Sequence, residues 1–67
     1  MHYGVIKWFD SSRGEGLIAP SNGGDDVIVH IDALRASGLT ALEPGTRVRY
    51  DVFVEPYRNI AGNLVVC

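Results

Sequence analysis

Residues 7–31 read KWFDSSRGEGLIAPSNGGDDVIVHI, and this stretch decides how the chain folds. It contains three apolar or aromatic pieces separated by two short polar gaps. The pieces are Lys7-Trp8-Phe9, Arg13-Gly14-Glu15-Gly16-Leu17-Ile18 and Val27-Ile28-Val29-His30-Ile31. Short β-favouring segments bounded by turn residues are typical of neighbouring strands in one antiparallel sheet. We therefore expect such a sheet, with its function on the face that points outward.

The first strand is predicted over Tyr3 to Phe9, where β-favouring residues crowd together. Side chains of a regular strand alternate between its two faces. Strict alternation places Ile6 and Trp8 on one face and Lys7 and Phe9 on the other. Two interpretations remain open, because either Trp8 or Phe9 can be the buried ring.

The second and third strands are predicted to form a hairpin. The second runs from Arg13 to Ala19, and residues 20–25 that follow it carry the strongest turn signal in the chain. Gly14 and Gly16 lie two positions apart and therefore on one face. Two such glycines indicate tight curvature or the close approach of another backbone, as in a small barrel.

The third strand begins at Val27, and its alternation assigns side chains to a core face and an outward face. The residues expected in the core are Val27, Val29 and Ile31. The residues expected to share the outward face with part of the second strand are Glu15, Leu17, Ile28 and His30.

The second half of the chain adds two more strands. Asp32 is expected to cap a single helical turn that ends before Gly38. A fourth strand is predicted over residues 46–54 and a fifth over residues 60–66. The residues expected on the buried face of the fourth strand are Val48, Tyr50, Val52 and Val54. Five short strands predict an all-β fold, a five-stranded antiparallel barrel, because closure removes exposed sheet edges.

Size and composition restrict the function. The chain of 67 residues is expected to form one domain, residues 1–67, with 46% hydrophobic and 21% charged residues, as in globular proteins. It has no run of about 18 apolar residues, and its start lacks the basic-then-apolar order of a signal peptide. We therefore expect a soluble, cytoplasmic protein without a membrane partner. The net charge of −2 gives no basic surface overall, so nucleic-acid phosphates can be bound only by a local patch of cations on one face.

Catalytic and metal chemistry find little support in the sequence. The chain has no nucleophile beside a base and no phosphate-binding glycine loop, so we do not expect an enzyme. Its single cysteine, Cys67, cannot form an internal disulfide or a zinc site with several thiolates. We therefore expect no metal and no other cofactor.

Motifs at matching intervals run along the whole chain. They are Gly4-x-x-Lys7-Trp8-Phe9-Asp10, Arg13-Gly14-x-Gly16-x-Ile18, Asp26-Val27-x-Val29-His30, Leu42-x-x-Gly45 and Ala61-x-Asn63. In order and spacing they resemble the bacterial cold-shock protein family. The resemblance implies a five-stranded antiparallel barrel of the OB type that binds single-stranded RNA or DNA and acts as a nucleic-acid chaperone or regulator.

Several aromatic positions of that family are replaced here. Glu15, Leu17 and Ile28 stand where the RNP-like motifs carry exposed phenylalanines, and Leu39 replaces a loop phenylalanine found in many members. A base stacked on an aromatic ring contributes roughly 1–3 kcal/mol, so exchanging three rings is expected to weaken binding by about 2–6 kcal/mol. The sequence therefore predicts a single-strand binder with weakened or altered base stacking.

The resemblance assigns roles to individual residues. Trp8 is expected to stack on a base, and His30 to stack on a base or hydrogen-bond to one. Leu17 and Ile28 are expected to touch bases, with two alternatives open: they can simply cover the barrel, or join an apolar patch used for another protein. The cations expected to contact phosphate are Lys7, Arg13 and Arg58.

A second hypothesis keeps the same barrel but gives its face to protein contact, including a homodimer. It rests on the aliphatic Leu17, Ile28 and Leu39 and on the acidic Glu15, which stand where rings are expected. The aromatics Phe53 and Tyr57, in and near the last loop, are interpreted by default as ordinary loop side chains, although either can extend a binding face.

Overall fold

The computed structural model describes residues 2–67, which form five strands and one short helix. The elements are β1 (His2–Asp10), β2 (Glu15–Pro20), β3 (Val27–His30), α1 (Ile31–Ala36), β4 (Arg47–Glu55) and β5 (Arg58–Val66). All five predicted strands are confirmed, with ends that differ from the predicted bounds by one or two residues in most cases. The strands close into a barrel in the order β1-β2-β3-β5-β4.

The barrel closes through strands of different lengths. β1 is long enough to pair with two neighbours, with β4 through residues 2–5 and with β2 through residues 4–10. Four of the five strand pairs are antiparallel, as predicted. The fifth joins β3 to β5 in parallel, at the single register pair Ile28 and Ile60.

A β-bulge in β1 decides which aromatic ring is buried. Ile6 pairs with Ile18 and Trp8 pairs with Leu17, so β1 carries one residue more than β2 between the two pairs. The predicted alternation is wrong at this point, because an extra residue reverses the faces that follow it. Ile6 is buried, Trp8 is 38% exposed, and the ring of Phe9 packs against the core.

Gly16 is required beside this bulge. A Cβ atom on Gly16 would overlap the carbonyl oxygen of Trp8 and lie 2.8 Å from a ring carbon of Phe9. The prediction that these glycines mark a close backbone approach is confirmed at this position.

The core fills the barrel and is sealed at one end by α1. Its buried residues are Ile6, Ile18, Val27, Val29, Leu34, Leu42, Val48, Tyr50, Ala61 and Leu64. Leu34 is the buried residue of α1. The predicted Val27 and Val29 are therefore in the core. Ile31 is half-buried against it as the first residue of α1, because β3 ends one residue earlier.

The helix cap differs from the prediction. His30, and not Asp32, is the N-cap residue of α1, and its Nδ1 accepts a hydrogen bond from the backbone N–H of Asp32 at 3.1 Å. Asp32 instead lies in the first turn, where a carboxylate is favoured by the helix dipole. The cap lies two residues earlier than predicted because β3 ends at His30 and α1 begins at Ile31.

β4 and β5 stay paired beyond the last core residues, up to Glu55 and Arg58. Val54 in this two-stranded hairpin is 81% exposed and not buried as predicted. A cleft of about 370 Å³ opens beside Tyr50, whose ring stacks on that of His2 with centroids 5.9 Å apart. Desolvation by burial raises the pKa of the Tyr50 hydroxyl.

Candidate nucleic-acid interface

Apolar side chains form one row across the outward surface of the barrel. Trp8 on β1 is the register partner of Leu17 on β2, and Leu17 is the partner of Ile28 on β3. The row continues through Ile60 on β5 to Phe53 on β4. We call these five residues the apolar row. Since register partners in a sheet share a face, ligands that contact Trp8 can extend along the row.

Two shallow clefts follow the row. The first, of about 200 Å³, lies between Trp8 and Ile28 and is bordered by Arg13 and Glu15. The second, of about 470 Å³, extends from Leu17 and Ile28 to the turn between β4 and β5. Because both clefts share Leu17 and Ile28, they form a continuous depression beside the row.

The turn between β4 and β5 brings a further ring to this depression. Tyr57 is 100% exposed and borders the second cleft together with Arg58. The sequence alone leaves open whether Tyr57 is an ordinary loop aromatic or part of a binding face, and the structure puts it beside the second cleft. Nothing in its local sequence signals its position, which depends on the parallel contact between β3 and β5.

Each predicted phosphate contact is an ion pair with a neighbouring carboxylate. Lys7 Nζ lies 2.9 Å from Asp26 Oδ2, and Arg13 Nη2 lies 2.9 Å from Glu15 Oε1. Arg58 Nε donates to Glu55 Oε1 at 3.1 Å. All three pairs are partly exposed, and such pairs contribute about 0–1 kcal/mol. A phosphate can therefore displace the carboxylate at low energetic cost.

His30 lies at the edge of the face, where its register partner is Glu15. Its Nδ1 accepts the hydrogen bond that caps α1, and a carboxylate oxygen of Asp32 is 3.4 Å from the same atom. A neutral imidazole that accepts at Nδ1 carries its proton on Nε2. His30 can thus donate from Nε2 to a ligand while it holds the helix cap.

The structure separates one predicted residue from the others. Leu39, which replaces the loop phenylalanine, is half-buried and packs against the core. The trio Leu17, Ile28 and Leu39 therefore does not form one exposed patch. Ile60 and Phe53 take its place in the apolar row. Ile60 was not predicted as a site residue, and the place of Phe53 in the row could not be predicted, because strand register cannot be read from local sequence.

A metal site needs grouped ligand side chains, and a membrane-spanning helix needs a long apolar run. No group of three or more His, Cys, Asp or Glu side chains in this part of the chain is arranged to hold a metal ion. The one helix in the same range is too short to cross a membrane.

A closed five-stranded barrel with an exposed tryptophan, an apolar row and flanking cations has the architecture of the OB class, whose members bind oligonucleotides or oligosaccharides on the barrel surface. The family described as the 'Cold-shock' DNA-binding domain matches residues 2–67. The chain belongs to the cold-shock domain family.

Curated relatives agree with this assignment. The chain is 35% identical to the cold shock-like protein CspD of Escherichia coli (strain K12) over 65 residues, which cover 97% of this chain and 88% of that protein. It is 42% identical over 52 residues to the cold shock protein CspA of Rhizobium meliloti (strain 1021), covering 78% and 75% of the two chains. It is 44% identical over 52 residues to cold shock domain-containing protein 4 of Arabidopsis thaliana. That match covers 78% of this chain but spans only 26% of the plant protein.

Proposed function

We propose that this cold-shock domain binds single-stranded RNA or DNA along the apolar row and acts as a nucleic-acid chaperone or regulator. The observation that carries the proposal is the placement of Trp8. The bulge in β1 turns this ring outward beside the depression, and Phe9 packs against the core instead. An exposed aromatic ring on a sheet is a sequence-tolerant stacking site for bases.

Different site residues contact different parts of the ligand. Trp8 stacks on one base, while Leu17 and Ile28 offer apolar contact to the next. Lys7, Arg13 and Arg58 exchange their carboxylate partners for phosphate oxygens, and the Nε2–H of His30 donates to a base or to the backbone. Because aliphatic side chains contribute less than rings, binding is weaker than on a full aromatic platform.

Weak binding suits a chaperone. A protein that binds unpaired strands and not duplexes shifts the equilibrium toward the unpaired form by mass action. Fast release then leaves the strand free to pair again. We infer that residues 1–67 work in this way as one binding domain in the cytoplasm, by association alone and without catalysis.

A fluorescence titration of Trp8, the chain's single tryptophan, tests the proposal. The titrants are pyrimidine-rich DNA and RNA oligonucleotides of about seven nucleotides, within the range of OB-fold site sizes. Saturable quenching that weakens with salt is expected, because stacking quenches the ring and phosphate contacts depend on salt. Unchanged fluorescence at high micromolar oligonucleotide, at low salt, would overturn the proposal.

A second candidate function is protein contact, including homodimerisation. Exposed apolar side chains at the end of the β4–β5 hairpin favour it, since Phe53, Val54 and Tyr57 all lie there. The ion pairs of the face also leave less free charge for phosphate. Analytical ultracentrifugation at high micromolar concentration tests it. A concentration-dependent dimer together with no oligonucleotide binding favours protein contact, and a monomer that binds oligonucleotides excludes it.

A further inference from the structure

Unpaired positive charge lies away from the apolar row. The chain has six lysine and arginine residues, and three of them form the ion pairs of the row. Within residues 2–67, the cations without a carboxylate partner are Arg35, Arg47 and Arg49. Two of these occupy alternate positions of β4, and alternate residues of a strand share a face.

The two arginines of β4 point outward beside an exposed aromatic ring. Val48 and Tyr50, the residues that alternate with them, are buried in the core. Across the β1–β4 pairing, Arg49 is the register partner of Tyr3, which is 51% exposed, and Arg47 is the partner of Val5. We call Tyr3, Arg47 and Arg49 the arginine patch.

Asp51 follows Arg49 by two positions on the same face of β4, but its Oδ2 accepts a hydrogen bond from Asn63 Nδ2 at 2.9 Å and forms no ion pair with Arg49. Both guanidinium groups of the arginine patch are therefore open to an external anion. Since an Arg guanidinium matches phosphate geometry and is always charged, an anion is the expected ligand.

One strand connects the patch to the apolar row. β1 carries Trp8 and Lys7 in its second half, where it pairs with β2, and Tyr3 in its first half, where it pairs with β4. Five residues separate Trp8 from Tyr3, or about 17 Å along a β-strand. This distance is within reach of a single strand that binds the row and continues over the barrel.

Charge favours extension of a bound strand from the row toward the arginine patch over extension toward the turn between β4 and β5. Beyond Ile28 the depression is bordered by Asp25, Asp26 and Glu55 and by one cation, Arg58, which is paired with Glu55. The arginine patch instead offers two cations that form no ion pair among residues 2–67, so it attracts additional phosphates more strongly.

We infer that the arginine patch binds the phosphates of nucleotides that extend beyond the apolar row, as a second contact for the same single strand. This inference rests on the proposed function of the row. It assigns Arg47 and Arg49 to backbone binding without base recognition, and it gives a longer oligonucleotide a steeper salt dependence than a short one.

The test compares a double variant, Arg47→Gln with Arg49→Gln, with the unchanged chain. Labelled pyrimidine oligonucleotides of about four and about ten nucleotides are titrated by fluorescence anisotropy at several salt concentrations, because these lengths bracket OB-fold sites. For the longer strand, the slope of log K against log salt is expected to become shallower by about 1.4, the value for two phosphate contacts on single strands. Its affinity at low salt is expected to fall on the order of tenfold. The affinity for the shorter strand is expected to change by less than about twofold, since that strand does not reach the patch.

Two controls make the result specific. Arg35→Gln removes an unpaired cation on α1 and reports the effect of net charge alone. Arg47→Lys with Arg49→Lys keeps the charge and is expected to retain the slope of the unchanged chain. Thermal melts followed by circular dichroism confirm that each variant is folded.

The outcomes separate the two proposals. Binding of the longer strand by the unchanged chain, with the same slope in the Gln double variant or an equal loss in Arg35→Gln, overturns the inference and leaves the proposed function standing. Failure of the unchanged chain to bind either oligonucleotide overturns both.

Discussion

Lys7 reaches across β2 to Asp26, and their Nζ and Oδ2 atoms are 2.9 Å apart. Lys7 is the extra residue of the β1 bulge, and Asp26 immediately precedes β3. The pair therefore bridges the surface on which we propose that single strands bind. Both side chains are exposed enough for solvent to screen the attraction. The carboxylate acts as a weak competitor of phosphate at this cation.

Replacement of Asp26 by Asn is expected to tighten binding of single-stranded oligonucleotides about threefold to tenfold at low salt, because Lys7 becomes free for phosphate. The salt dependence should steepen by about 0.7 in the slope of log K against log salt. Loss of an exposed pair should change the free energy of unfolding by less than about 1 kcal/mol. Fluorescence anisotropy and chemical denaturation measure the two effects.

Asp25→Asn is the matched control for that variant. It makes the same change in net charge, but Asp25 forms no ion pair among residues 2–67. Equal tightening in both variants would show that long-range charge, and not release of Lys7, is responsible.

Glu15 is the replaced aromatic position beside Trp8 in the first cleft. Glu15→Phe is expected to strengthen binding by about 1–3 kcal/mol through stacking, in addition to the gain from freeing Arg13. Glu15→Gln separates these effects, because it removes the charge without adding a ring. Titrations should rank the affinities as Phe above Gln above Glu. Equal affinities for the Phe and Gln variants would show that no base reaches this position.

The main strands and the outward face could be predicted from the sequence. Alternation of period two places Leu17 and Ile28 on one face, and the structure confirms this arrangement through their direct register pairing. The bulge at Lys7 could not be predicted, because an extra residue in a strand depends on how two strands pair. Only the pairing shows that Trp8 lies outside while Phe9 packs inside.

The ion pairs of the face were also only partly predictable from the sequence. Arg13 lies in the turn before β2, two positions from Glu15, so a contact between them is expected from their closeness in the sequence. Lys7 and Asp26 are 19 positions apart, and only the folded barrel brings them together. Local sequence therefore indicates which cations lie near the site, whereas the fold determines that each one is already paired.

Tyr57 is fully exposed at the tip of the β4–β5 hairpin and borders the second cleft. If a base stacks on its ring, Tyr57→Ala should weaken oligonucleotide binding by about 1–3 kcal/mol, while Tyr57→Phe should retain it. The free energy of unfolding should not change measurably, because an exposed ring has no packing to lose. Val54→Ala, at an exposed apolar position on the same hairpin, is the control. An equal loss in that variant would argue for general disturbance of the hairpin and against stacking.

The buried Tyr50 gives the barrel a pH dependence at alkaline pH. Desolvation raises the pKa of its hydroxyl above the usual 10.0 in the folded chain, so the native state holds this proton more tightly than the unfolded state. The resulting stabilisation is fully present below pH 10 and is lost as the pH rises through the raised pKa. Urea denaturation between pH 8 and pH 11 should therefore show a shallower decline in unfolding free energy for Tyr50→Phe than for the unchanged chain. Tyr57→Phe is the matched control, since it removes one tyrosine hydroxyl outside the core. An identical decline in the chain with and without the Tyr50 hydroxyl would contradict the prediction.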